Sequence, residues 1–266
     1  MKTSVIIILA ALLLCSPHAK AQESDNSKQP LEITADKTLE WHREKNVFIA
    51  QGKAKAAQGN VSISAETLTA DYRDGEDSGI DIWQVTADTD VVITSADSKA
   101  FGGHAVYNLD EGLATLTEGD LVLISGDQTV TAQDRFEYWT EQGKLVALGR
   151  AKMTQAKKEG GEDTLEADLI TATLHDDAQG KREIETLEAE GRVIITSPAE
   201  IITGDYAIYR KNTNMAEIKG NVSIQRGPNV LEGERAEVDL DTNISRMFGS
   251  ENGNQRIRGV FYPGSQ

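Results

Sequence analysis

Apolar and polar residues alternate with a period of two through most of residues 31–262, which places one set on each face of extended strands. The clearest runs are Ile218-Lys219-Gly220-Asn221-Val222-Ser223-Ile224 and Ala189-Glu190-Gly191-Arg192-Val193-Ile194-Ile195. Ala147-Leu148-Gly149-Arg150-Ala151-Lys152-Met153 and Ala50-Gln51-Gly52-Lys53-Ala54-Lys55-Ala56 follow the same form. The glycine in each marks a bend or a close backbone approach. A second phrase reads apolar, small hydroxyl or acidic, Ala or Gly, then usually acidic. It occurs seven times, as Ile33-Thr34-Ala35-Asp36, Ile63-Ser64-Ala65-Glu66, Phe101-Gly102-Gly103-His104, Val130-Thr131-Ala132-Gln133, Leu165-Glu166-Ala167-Asp168, Ile202-Thr203-Gly204-Asp205 and Leu231-Glu232-Gly233-Glu234. The Ala or Gly positions are 30, 38, 29, 35, 37 and 29 residues apart. Repetition at this period predicts stacked units that share one continuous core.

Each repeat predicts two or three strands joined by turns such as Arg43–Asn46, Asp110–Gly112 and Lys211–Asn214. Seven repeats then give about 14–16 strands of ordinary length. Polar insertions at Arg73–Gly79, Ala156–Asp163 and His175–Glu183 fall between repeat halves, where stacked folds accept them. Residues 164–174 could pass as a short helix, but the repeat phase and its β-branched content make them strand. No boundary interrupts 31–262, so residues 31–263 read as one all-β domain with a tail at 264–266.

The phase assigns an inward set: Leu31, Ile33, Leu39, Trp41, Phe48, Ile63, Leu68, Val91, Ile93, Phe101, Tyr107, Leu109, Leu121, Leu123, Val130, Phe136 and Tyr138, continuing through Val193, Ile195, Ile202, Ile208, Ile218, Val222 and Ile224. Ala and Gly are interspersed among them. In a closed sandwich this face fills to crystal-like density. In a folded-over sheet that stays open it lines a groove, where each acyl methylene buried is worth about 0.8 kcal/mol. Taken alone, the alternation is that of a simple core more often than of a lipid site.

The ends and the charge narrow the setting. Lys2, the apolar run Val5–Leu14 and Ala19-Lys20-Ala21 read as a cleaved signal peptide over 1–21. Residues 22–30 read as a polar, disordered linker. Cleavage removes Cys15, the one cysteine, so no disulfide supports the mature chain. The formal charge of -16 argues against nucleic-acid binding, which needs a basic face.

The signal peptide followed by Leu31-Glu32-Ile33-Thr34-Ala35-Asp36, by Phe48-Ile49-Ala50-Gln51-Gly52-Lys53-Ala54 and by Ile63-Ser64-Ala65-Glu66 resembles the LptA/OstA family of periplasmic lipopolysaccharide-transport proteins. Gly103-His104-Ala105 with Tyr107 and Leu109, and the ending Arg256–Pro263, resemble family segments too. The resemblance implies an open, twisted β-jellyroll, a folded-over antiparallel sheet whose interior carries lipid A acyl chains. It implies stacking end to end through edge strands, with related jellyroll domains of inner- and outer-membrane components and with further copies, as a bridge between the membranes. By position it makes Leu31, Ile33, Tyr107, Leu109 and Leu116 interior contacts, although Leu116 falls outside the periodic assignment. With the periodic set, the expected lipid-binding residues are Leu31, Ile33, Leu39, Trp41, Phe48, Ile63, Tyr107, Leu109, Leu116, Leu123, Phe136 and Tyr138.

No catalytic or cofactor motif accompanies these features. The mature chain has three widely spaced histidines, His42, His104 and His175, and no GxSxG, HExxH or Walker-type loop. His104 takes the slot that elsewhere holds Asp36, Glu66 or Asp205, which makes it an outward polar residue. The acidic group Asp71, Asp74, Glu76 and Asp77 lacks calcium-loop spacing. The expectation is therefore a non-enzymatic carrier without metal or cofactor. A structural β-solenoid and a protein-only adaptor that joins by edge pairing are the alternatives.

Overall fold

The computed structural model describes residues 30–75, 79–95, 98–157, 160–176, 182–242, 244–250 and 256–262. The expected signal peptide, all but the last residue of the expected linker, the tail, and Glu76 and Asp77 lie outside them. The fold is all-β and antiparallel, of the jellyroll type, with eighteen strands among the described residues. Two strands of only three residues, at the two ends of the series, help carry the count past the expected 14–16. The stretch that could have been helical is strand.

The chain divides into two compact units, the first ending at Ala147 and the second starting at Leu148. The first holds β1 (Glu32–Thr34), β2 (Thr38–His42), β3 (Val47–Gln58), β4 (Val61–Asp74), β5 (Ile80–Thr94) and β6 (Ser98–Asn108). It continues with β7 (Leu113–Thr117), β8 (Leu121–Ser125), β9 (Gln128–Ala132) and β10 (Arg135–Trp139). The division falls inside β11 (Lys144–Ala156). The second unit continues with β12 (Glu162–Asp176), β13 (Arg182–Thr196), β14 (Ile201–Arg210), β15 (Met215–Arg226), β16 (Asn229–Asp239), β17 (Ile244–Phe248) and β18 (Arg258–Val260).

In the first unit β3, β4, β5 and β6 pair in sequence order. The halves β1 and β2 both lie along β3, as one strand broken at Ala35–Lys37. Likewise β7 and β8 both lie along β6. In the second unit β12 to β16 pair in order, and β17 and β18 both lie along β16.

What folds these long strands over is the repeat itself. Gly191 and Arg192 take successive left-handed conformations, φ 75° and 50°, and so do Gly220 and Asn221, φ 74° and 50°. The pairs Gly52-Lys53 and Gly149-Arg150 do the same. Register slips at these points, with Gly191-Arg192 set against the single residue Asp205 and Gly52-Lys53 against the single residue Glu66. Such bulges raise the local twist and bend the strand. The acid of the other phrase fills the space. Arg192 Nε donates to Asp168 Oδ1 at 3.0 Å, Asn221 Nδ2 to Asp205 Oδ2 at 2.8 Å, and Lys37 Nζ to Glu66 Oε1 at 2.6 Å. A Cβ on Gly191 would meet Asp168 Oδ2 at 2.5 Å, so glycine is required there. Asp168, Asp205 and Glu66 of the recurrent phrase are thus partners of the bends.

One phrase is framed differently from the sequence reading. Gly102 lies opposite Val91 and Ala100 opposite Ile93, so the inward residues there are Ala100 and Gly102. Phe101, expected inward, lies opposite Val92 and Val122 on the other face. Its bulk imitates the apolar lead of the phrase, and only the pairing reveals the one-residue offset.

The candidate lipid-binding face

The inward face of the first unit is built from small and large apolar residues in cross-strand register. Ile33 lies opposite Ala56, Leu39 opposite Ala50, and Trp41 opposite Phe48. Phe48 lies opposite Ala70 and Ile63 opposite Ile93. Tyr107 sits between Val85 and Ala114, and Leu123 between Ala100 and Val130. Phe136 faces Leu116, and Tyr138 faces Ala114. The structure therefore aligns ten of the twelve expected residues through strand pairing. The other two flank strands: Leu31 precedes β1, and Leu109 follows β6 in a turn, its N–H donating to Trp83 O at 2.9 Å.

Leu116 is in register after all, opposite both Ala105 and Phe136, and is 3% exposed. The turn that closes at Gly112 begins a new strand and resets the phase, which a continuous alternation count cannot see. Tyr72 was missing from the expected set. It follows Leu68 and Ala70 at the same spacing, and that was the signal that could have found it. It is buried, its ring 5.1 Å from Phe48, which in turn lies 5.3 Å from Trp41. Trp41 Nε1 donates to Tyr72 Oη at 2.8 Å, and the Arg43 guanidinium lies 4.4 Å from the Trp41 ring. This cluster fixes the amphipathic Trp41 while leaving it 49% exposed, with Leu39 beside it 57% exposed.

Small residues lie along the same face: Ala50, Ala54, Ala56, Ala65, Ala70, Ala87 and Ala105 are buried there. Ile33, Phe48, Ile63, Tyr107, Leu123 and Tyr138 remain half-buried. Leaving such a surface open forgoes about 25 cal/mol per Å² of apolar area, so it is costly unless something covers it.

The second unit packs large residues fully, as the first does at Leu68, Val91 and Leu121. Its inward residues include Val193 and Ile218 at 1% exposed and Ile195 and Ile202 at 2%. Leu165, Leu187 and Tyr209 are buried with them. The cleft bounded by Leu165, Leu187, Ile195, Tyr209 and Ile218 is apolar throughout.

The outward faces carry the charge. Arg73 donates to both Asp110 oxygens at 2.8 Å and to Asp81 at 2.6 Å. The Arg73 hydrogen bonds hold the Asp110 carboxyl below its ordinary range. Arg192 does the same for Asp168, and Lys37 for Glu66. Tyr206 is pushed up to about 12, by burial first and by its hydrogen bond to Glu188 second. His104 points outward, its Nδ1 2.7 Å from Asp88 Oδ1. Among the described residues no three His, Cys, Asp or Glu side chains gather as a metal site, and no helix is long and apolar enough to cross a membrane.

Comparison with known proteins gives the class. The family model described as LptA/(LptD N-terminal domain) LPS transport protein matches residues 32–144 and again residues 134–244. The chain belongs to this family, which is one of lipopolysaccharide transport proteins and not of enzymes. An uncharacterised protein of Rhizobium meliloti (strain 1021) is 25% identical over 130 residues, covering 47% of this chain and 67% of that protein. A crystal structure of LptH, the LptA homologous periplasmic component of the lipopolysaccharide transport device of Pseudomonas aeruginosa, aligns over 90% of this chain and all of that one. The identity to LptH is 12% and the TM-score 0.24.

Proposed function

We propose that this protein is a periplasmic lipopolysaccharide carrier, exported by the leader at 1–21, that shields lipid A acyl chains while the sugars and phosphates stay in water. The whole of 31–263 acts as the carrier, and it forms part of a bridge from the inner to the outer membrane. The observation that carries this reading is the inward face of the first unit, where Leu39, Trp41 and their half-buried neighbours stand uncovered. Acyl chains are the ligand that such a face suits, because they need no directional polar partner and gain about 0.8 kcal/mol per methylene. The lipid-binding residues are Leu31, Ile33, Leu39, Trp41, Phe48, Ile63, Tyr107, Leu109, Leu116, Leu123, Phe136 and Tyr138. Directional energy comes from a partner, since the chain carries no nucleotide-binding loop.

Binding of purified lipopolysaccharide to variants tests the reading. Ile33→Asp places a charge on the inward face and should lower lipid loading at least about tenfold, since it buries an uncompensated carboxylate against acyl chains. Asp36→Ala, on the exposed side of the break between β1 and β2, should leave loading unchanged. Equal loading by both variants, each folded, would instead favour a protein-only adaptor.

A further inference from the structure

The inward face of the second unit ends on a charged row. Leu165, Ile195, Ile202 and Ile224 lie opposite one another in turn across β12 to β15 and make one apolar row. Period two places Asp163, Ser197, Glu200 and Arg226 next along the same face. Asp163 is 3% exposed and Glu200 5%, so two carboxylates are buried where an apolar core would continue. In the first unit the row beyond Ile63, Ile93 and Leu123 holds Val61, Ser95, Ser98 and Ser125, none of them charged.

Each of these carboxylates has one cation beside it. Lys157 Nζ lies 2.7 Å from Asp163 Oδ1, off the line of a hydrogen bond, and Arg226 Nη2 donates to Glu200 Oε2 at 3.0 Å. Ser197, between the two acids, uses its hydroxyl within its own turn, donating to Glu200 O and accepting from Glu200 N. Both Asp163 oxygens and Glu200 Oε1 therefore accept no hydrogen bond among the described residues. Buried acceptors in that state are costly. Each acid already has its cation, so what these oxygens lack is a donor. The row borders the apolar cleft of this unit, because Leu165 and Ile195 line the cleft and stand next to Asp163 and Ser197. On its other side Lys157 and Arg226 are partly exposed. The row thus lies between apolar cleft and water, the depth at which an amphiphile changes from chain to headgroup.

We infer that Asp163 and Glu200 select amphiphiles that carry a hydrogen-bond donor at the root of the acyl chain, a hydroxyl or an amide N–H. Entry of the chain into the cleft brings that root to the charged row, and its donors fill the unpartnered oxygens. A plain acyl ester has only acceptors at this depth. It leaves those oxygens unpartnered and sets ester oxygens against carboxylates. A site built to bond a ligand's donor rejects the analogue that lacks it, more sharply than an apolar wall discriminates chain length. The apolar faces supply affinity, and this row supplies the choice of lipid. The inference rests on the carrier reading and adds which lipids are accepted.

Calorimetric binding of two neutral probes of equal chain length to the mature chain tests it. One is the N-ethyl amide of a 3-hydroxy fatty acid, and the other is the ethyl ester of the unsubstituted acid. The amide should bind at least about tenfold tighter. A variant with Lys157→Met, Asp163→Leu, Glu200→Leu and Arg226→Met removes each ion pair whole, so no charge is left stranded. It should bind the two probes within about twofold of each other, chiefly because the ester binds better. The variant also measures the background binding of the first unit, whose corresponding row is neutral. Equal binding of both probes by the wild type would overturn the inference and leave the carrier reading standing. A preference that persists in the variant, with wild-type circular dichroism, would overturn it too. So would a preference that needs magnesium and vanishes with a chelator, which would make the two acids a cation site. Binding of neither probe, nor of lipopolysaccharide, would overturn the carrier reading and the inference together.

Discussion

Gly191 and its partner Asp168 show how single residues set this fold. The glycine sits at φ 75° with Asp168 Oδ2 where a Cβ would go. Gly191→Ala should cost about 2–3 kcal/mol in urea unfolding, from left-handed strain together with displacement of the carboxylate. Gly126 has a similar φ of 59° but open space around it. Gly126→Ala should therefore cost roughly 1 kcal/mol, the conformational part alone. The acids at the bends tie stability to pH. The folded-state pKa values of Asp168 and Glu66 lie below their unfolded values, through hydrogen bonds from Arg192 and Lys37. Their contribution is therefore present above the unfolded pKa of about 4 and is lost as pH falls through the folded value. Asp168→Asn should lower the melting temperature at pH 7, and the gap to wild type should narrow as pH falls below about 4.

At the scale of strands, alternation was a sound guide on either side of each bend but not through it, since Ile208, expected inward, lies opposite Glu188 and Glu217 on the other face from Ala207 and Tyr209. Ile33, Phe48 and Ile63 were legible because period two puts them on one face with Ala56, Ala70 and Ile93 opposite. It misled where phase resets. Leu116 regained the inward face after a turn, and Phe101 lost it by one residue. The bends were visible only as recurring glycines, because the Arg192–Asp168 contact spans 24 residues and requires the register to be known. One strand face also carries two kinds of position, and truncation should separate them. Leu68→Ala, at a site 2% exposed, should cost about 2–5 kcal/mol of stability. Leu39→Ala, at a site 57% exposed, should cost less than about 0.5 kcal/mol while still weakening lipid loading.

For the molecule as a whole, the family model matches twice and the chain folds as two compact units, each with its own inward face. The sequence made these faces look alike, since both alternate. What it did not display is how completely each large residue is covered, which emerges only once the strands are paired. Both units bury large residues almost fully, Leu68, Val91 and Leu121 in the first and Ile195, Ile202 and Ile218 in the second, and the first also leaves Leu39 and Trp41 exposed on its inward face. Light-activated crosslinking in living Gram-negative cells tests the central claim most directly, with the probe at position 33 and a control at the exposed position 36. The account predicts a lipopolysaccharide adduct at 33 and none at 36. No adduct at 33 from a well-folded, exported protein would contradict it.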